Sequence, residues 1–138
     1  MDTVTISLDA MGGDNAPLSE VVGAVDTISK YPDINVILVG KQDKIEHELK
    51  KLSFDSSRIR IHHTDEIIEM HESPTDALKK KPGSSLITGL KLCRQKEADG
   101  FISAGNTGAV MAASLFTLGR IANVSRPTIG SEFHTEKG

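Results

Sequence analysis

The run Asn35-Val36-Ile37-Leu38-Val39-Gly40 has no polar side chain between its first and last residues. A strand that is apolar at every position cannot turn one face to water. It must be covered on both sides, which is the situation of an inner strand in a parallel sheet. The rest of the chain fits that requirement. Val4 to Leu8 reads as a first strand, Arg58-Ile59-Arg60-Ile61-His62 alternates with period two as a third, and Asp99 to Ala104 reads as a fourth. Segments of helical spacing lie between them. One starts at about Pro17, carries the stripe Val21, Val22, Val25 and Ile28, and closes at Tyr31-Pro32-Asp33. A second, Ile45 to Leu52, turns Ile45, Leu49 and Leu52 inward, and a short third spans Thr75 to Lys80. Ser84-Ser85 caps a fourth whose inward residues are Leu86, Ile87, Leu90 and Cys93. Asn106 to Leu118 is a fifth, apolar nearly all round, and Arg126 to Ile129 is expected to begin a fifth strand. Strand and helix in alternation predict a doubly wound α/β/α sandwich with a mostly parallel sheet.

Composition removes several classes of function. A net charge of −3 and only four Phe, one Tyr and no Trp argue against a nucleic-acid partner, which wants positive charge and stacking platforms. A single cysteine, Cys93, excludes an internal disulfide framework, and its place in a helical stripe makes it a core thiol rather than a nucleophile. Charged residues interrupt every apolar run before it reaches membrane-spanning length, and Met1-Asp2-Thr3-Val4 lacks the basic start of a signal peptide, so a cytoplasmic location is expected. His62 and His63 are adjacent on a strand and point to opposite faces, and His47, His71 and His134 show no ligand spacing, so no metal site is expected.

Two motifs follow strands, where open α/β sheets bind their ligands. Asp9-Ala10-Met11-Gly12-Gly13-Asp14-Asn15-Ala16-Pro17 places two acids, an amide and paired glycines after the first strand. Glycines allow close backbone approach, Asp9 suits a base or a residue that orients a donor, and Asp14-Asn15 suits both capping and substrate binding. Ser103-Ala104-Gly105-Asn106-Thr107-Gly108-Ala109 turns from the fourth strand into a helix, so free N–H groups at the positive helix end meet the side chains of Asn106 and Thr107. That is a cradle for phosphate or an acyl oxyanion. A third segment, Lys79-Lys80-Lys81-Pro82-Gly83-Ser84-Ser85, sets three ammonium groups before a helix start and suits a second anion site. Neither a dinucleotide fingerprint nor a P-loop is present, and Gly40-Lys41 stands where a ribose-binding acid belongs. An NAD-linked dehydrogenase on a similar sheet is therefore the weaker alternative.

These motifs, in the same order and together with Gly119-Arg120-Ile121 and Arg126-Pro127, resemble the PlsX family of bacterial phosphate acyltransferases of phospholipid synthesis. The resemblance covers residues 4 to about 127. It implies the N-terminal part, residues 1–129, of a longer domain related to phosphotransacetylases and isopropylmalate dehydrogenase-like enzymes, with 130–138 a divergent tail. It also implies a reaction without cofactor or metal, in which inorganic phosphate and an acyl carrier protein thioester give acyl phosphate. The partners implied are acyl carrier protein, a second subunit in a homodimer, and peripheral contact with the membrane through a glycerol-3-phosphate acyltransferase. Carried onto this chain, the catalytic candidates are Asp9, Lys81 and Asn106. The substrate-binding candidates are Gly12, Gly13, Asp14, Asn15, Ser84, Ser85, Gly105, Thr107 and Gly108. Lys79 to Lys81 would also steer an acidic carrier. A fragment that binds phosphate or carrier protein without turnover is the other reading.

Overall fold

The computed structural model describes residues 3–131. Strands β1 (Val4–Asp9), β2 (Ile34–Gly40), β3 (Ile59–His63) and β4 (Gly100–Ile102) form one sheet in the order β3-β2-β1-β4. Every pairing is parallel, with Leu8 opposite both Leu38 and Ile102. The apolar run is β2, and it is covered on both faces as its sequence demands. Val36 and Leu38 pack with Val21, Val25 and Ile28 of α1 (Leu18–Lys30) and with Ile45 and Leu49 of α2 (Gln42–Leu49). Ile37 and Val39 face the other way, against Leu92 of α4 (Ser85–Arg94) and Ala98. A second apolar cluster on that side joins α3 (Pro74–Lys80), α4 and α5 (Thr107–Leu118) through Ala77, Leu86, Leu90, Ala109 and Ala113. The doubly wound arrangement is thus the observed one.

Arg58 ties the lower rim of the sheet together. Its guanidinium donates to Ile28 O at 2.5 Å and Tyr31 O at 2.6 Å, and also to Ile34 O, so one planar fork satisfies carbonyls at the end of α1 and the start of β2. It is the last residue of a single 3-10 turn, Ser56–Arg58, with Asp55 as the cap.

Several local expectations are corrected. Helix α2 starts three residues earlier than its apolar spacing indicated and ends at Leu49, while Leu52 still packs against the core from the turn that follows. In α4 Leu86, Ile87 and Leu90 are buried as expected, in the cluster with α3 and α5, but the remaining inward position belongs to Leu92, which packs with Ile37 and Val39 of β2, and Cys93 is only half-buried beside it. Burial pushes the Cys93 thiol up from its ordinary range, and Asp99 adds to the effect, which suits an inert core-edge thiol. Strand β4 is three residues long, shorter than the segment read as strand. Residues 126–129 form no strand and are exposed, and the remainder of the tail from 132 lies outside the described residues. No helix among the described residues is long and apolar enough to cross a membrane.

Candidate functional site

The chain lays down β1, β2 and β3 in one direction across the sheet and then returns to place β4 on the free side of β1. Loops leaving the C-terminal ends of β1 and β4 therefore diverge to opposite faces and leave a crevice between them, the usual ligand position in such sheets. The loops that flank it are 9–15 and 103–108, the two motifs singled out in the sequence.

Asp9 locks the two loops to each other. Its side chain is almost fully buried (2% exposed), and Oδ1 accepts from Met11 N–H at 3.1 Å while Oδ2 accepts from Ser103 Oγ at 2.8 Å. The Ser103 hydroxyl in turn accepts from Gly105 N–H at 3.1 Å. The carboxylate thus spans β1 and β4 and shapes both turns from below. Gly12 and Gly105 then meet backbone to backbone. A Cβ on Gly12 would lie 2.6 Å from Asp9 Oδ2 and 3.0 Å from Gly105 N, and a Cβ on Gly105 would lie 3.2 Å from Gly12 Cα. Only glycine fits this approach.

Asn106 is the N-cap of α5: its Oδ1 accepts from Ala109 N–H at 3.0 Å, and its backbone carbonyl accepts from Val110 N–H. Its Nδ2 donates away from the crevice, to the carbonyls of Glu72 at 2.9 Å, Met70 at 3.2 Å and Glu69 at 3.4 Å. The amide is a clamp between the helix start and the 69–72 loop. Among the described residues this leaves the N–H groups of Thr107 and Gly108 as the free donors of the first turn. Gly108 also makes room for Pro74, the first residue of α3, since a Cβ there would lie 2.8 Å from the proline Cγ.

The lysine and serine candidates stand apart from this cluster. Lys81 Nζ is taken by Glu72 Oε2 and Ile67 O, both at 2.6 Å, and so reaches Asn106 only through the Glu72 residue that both of them hold. This ion pair and hydrogen bond hold the Glu72 carboxyl below its ordinary range. Ser84 is the buried N-cap of α4, accepting from Ile87 N–H. Ser85 is buried too and donates its N–H to Glu66 O, while the Glu66 carboxylate accepts from Gly83 N–H at 2.7 Å. The head of α4 is therefore served by the chain's own acid. No hydrogen bond among the described residues joins Lys81, Ser84 or Ser85 to Asp9 or Ser103. Asp14 and Asn15 are exposed beside the crevice, and neither caps α1, whose N-cap position is Pro17 with no side-chain bond.

Two residues gained roles only in three dimensions. Ser103 bridges Asp9 and Gly105, although its place in the sequence marked it only as a member of the turn. Glu20 lies in the first turn of α1, outside all the motifs. It is 8% exposed, its Oε2 has no hydrogen-bond partner among the described residues, and its carboxyl occupies the space that a Cβ on Gly13 would need. Burial pushes its pKa up, the negative charge of Asp9 adds to that, and backbone N–H groups of Glu20 and Gly13 oppose it. Its spacing of four from Ala24 and eight from Ile28, both buried, was the available signal.

Residues 4–138 match the family model described as fatty acid synthesis protein. The phosphate acyltransferase of Acetivibrio thermocellus is 47% identical over 133 residues, and that of Chlorobaculum parvum is 49% identical over 134. Each alignment covers 96% of this chain and 39% of the relative, so the chain spans about two-fifths of the length of the curated relatives it matches. Among solved structures, a phosphotransacetylase from Streptococcus pyogenes superposes with a TM-score of 0.64 at 17% identity, covering 90% of this chain and 40% of that one. The EutD phosphotransacetylase from Staphylococcus aureus gives 0.57 at 22% identity with the same coverage. These two likenesses carry the fold, a doubly wound sheet shared with longer proteins. The match along almost the whole chain carries the lineage: the chain belongs to the fatty acid synthesis protein family, and its relatives named above are phosphate acyltransferases.

Proposed function

We propose that the crevice between β1 and β4 holds inorganic phosphate, as the phosphate half of an acyltransferase site that takes an acyl carrier protein thioester to acyl phosphate. The observation that carries this reading is the meeting of two glycine turns where the strand order reverses, beside the unfilled N–H groups of Thr107 and Gly108. Such donors, fixed before the ligand arrives and aligned with the helix dipole, favour an oxyanion without reorganisation. The acids beside them do not defeat that. Asp9 spends both oxygens on Met11, Ser103 and the loop geometry, and Glu20 is neutral over a wider pH range than an exposed acid.

In this reading Asp9, Ser103 and Asn106 position the turns, and the backbone at Gly12, Gly105, Thr107 and Gly108 touches phosphate. A phosphate oxygen attacks the thioester carbonyl, the C–O bond forms, the C–S bond breaks, and the carrier leaves as a thiolate that takes a proton from solvent. Phosphate is already nucleophilic near neutral pH, so positioning and oxyanion stabilisation are the main requirements. Lys81 acts at one remove, by holding Glu72 and with it the loop on which Asn106 is anchored.

A second reading is phosphate binding without turnover, which the same backbone donors would serve. One pair of measurements separates them. Calorimetric titration with inorganic phosphate tests the site, and hydroxylamine trapping of acyl phosphate from an acyl carrier protein thioester tests the reaction. Binding with product supports the enzyme and binding without product supports the second reading. The absence of phosphate binding overturns both.

A further inference from the structure

The head of α1 and the first glycine turn hold a carboxyl group of the chain itself. Helix α1 has no side-chain cap. Leu18 N–H bonds to Asn15 O and Val21 N–H to Pro17 O, but among the described residues the N–H groups of Gly13, Ser19 and Glu20 reach no carbonyl. The Glu20 carboxyl meets two of these donors, its own N–H and that of Gly13, and Oε1 takes the space a Gly13 Cβ would need. Backbone donors at the positive end of a 13-residue helix are what an oxyanion seeks, so this side chain stands where a ligand oxygen would stand. The place adjoins the crevice, since a Gly13 Cβ would also lie 3.6 Å from Ala104 Cβ in the second turn.

An acid is a costly occupant there. Glu20 is 8% exposed, its Oε2 has no partner among the described residues, and Asp9 adds a like charge from β1. No ion pair among the described residues offsets it. The groove it lines carries no other titratable group, Asp14 is exposed on the loop, and Asp43, Lys44, His47 and Glu48 of α2 gather at Pro17, where the helix begins. We infer that Glu20 is a specificity-determining residue of the crevice: its carboxylate is an internal competitor for the oxyanion that the glycine turns receive, and the ligand binds the form in which Glu20 is neutral. The inference rests on the phosphate reading. Phosphate and a Glu20 carboxylate would set like charges on one group of N–H donors. The carboxylic acid relaxes its hold on Gly13 N–H and gains an O–H to donate to a phosphate oxygen. Above the range in which Glu20 titrates, binding then takes up a proton from solvent, and affinity falls as pH rises. Burial and Asp9 move that range upward, toward neutral pH.

The test is calorimetric titration of the 138-residue chain and of Glu20→Gln with inorganic phosphate at about pH 8 and about pH 4.5. The ratio of the two affinities at each pH cancels the titration of phosphate itself. We expect Glu20→Gln to bind about tenfold more tightly than the parent at the higher pH and within about twofold of it at the lower. A ratio near one at both overturns the inference and leaves the phosphate reading standing. A tenfold gain at both overturns it too, because the amide would then act through shape and not through charge. Absence of binding by either protein at either pH overturns the phosphate reading and the inference with it. Carboxyl carbon NMR of the parent supplies a measurement that needs no substitution. Saturating phosphate should raise the titration midpoint of Glu20 by about one pH unit, the counterpart of the tenfold ratio, and an unmoved midpoint overturns the inference.

Discussion

Asn106 makes its stability role separable from any role in binding phosphate, because its two side-chain functions use different atoms. Oδ1 caps α5 through Ala109 N–H, and Nδ2 faces three carbonyls at 2.9, 3.2 and 3.4 Å, of which its two protons can serve two well. Asn106→Ala removes everything. The lost cap costs about 1 kcal/mol and the two carbonyl bonds about 1 kcal/mol each before water returns to an exposed loop, so a loss of about 2–3 kcal/mol is expected. Asn106→Ser keeps a capping oxygen and drops only the donor, so it should lose about 1–2 kcal/mol. Asn106→Asp keeps the cap and gains about 0.3–1 kcal/mol from the helix dipole, but it turns a carboxylate onto three carbonyl oxygens and should be no more stable than the alanine variant. Urea unfolding gives the ranking, and amide exchange of residues 69–73 shows whether the loop is released. A serine variant as stable as the parent, with unchanged exchange in that loop, would refute the clamp.

The other expectations are independent of that series. Gly12→Ala should destabilise by about 2 kcal/mol and weaken phosphate binding at least about tenfold, because its Cβ strikes Asp9 Oδ2 and Gly105 N. Gly23→Ala meets no atom within 4 Å and should instead stabilise α1 by about 0.5–1 kcal/mol, readable as a higher urea midpoint. The raised Glu20 pKa means the native state holds that proton more tightly than the unfolded chain, so its contribution is full below the ordinary glutamate range and is lost as pH rises through the raised value. Glu20→Gln should accordingly flatten the fall in stability above that range, and an unchanged pH profile would remove the buried-acid account. Glu72 behaves oppositely: its pKa is lowered, so the tie to Lys81 is present above the ordinary glutamate range and lost as pH falls through the lowered value. In Glu72→Gln that acid-side step should disappear from a pH titration of stability.

The sheet and its layers were legible in the sequence because burial on two faces leaves an unbroken apolar run, and β2 has one. Boundaries were less so: Gln42, Asp43 and Lys44 carry no apolar signal, yet the backbone bond from Ile45 N–H to Lys41 O makes them the first turn of α2. The expected strand at 126–129 rested on Thr128-Ile129 after a proline, and two β-prone residues without a paired neighbour do not make a strand. The two glycine turns stood out as motifs, and the reversal of strand order explains why they meet. What local pattern could not convey was where side chains spend their hydrogen bonds. The lysine run and the Ser-Ser cap read as an anion site, yet Lys81 is taken by the Glu72 carboxylate, Gly83 N–H by the Glu66 carboxylate and Ser85 N–H by the Glu66 carbonyl, acceptors that sit 9 to 19 residues away in the least regular stretch of the chain.

The Ser103–Asp9 bond joins residues 94 positions apart. While the chain is being synthesised, β1, β2 and β3 can assemble in order of emergence through pairings between consecutive strands. The crevice cannot. It comes into being only when β4 arrives beside β1 and the second glycine turn closes on the first, so a ligand held there recognises the finished topology and no earlier intermediate. Phosphate would then act as a selective weight on the last step of assembly, stabilising the completed sheet by mass action and leaving the three-stranded precursor untouched.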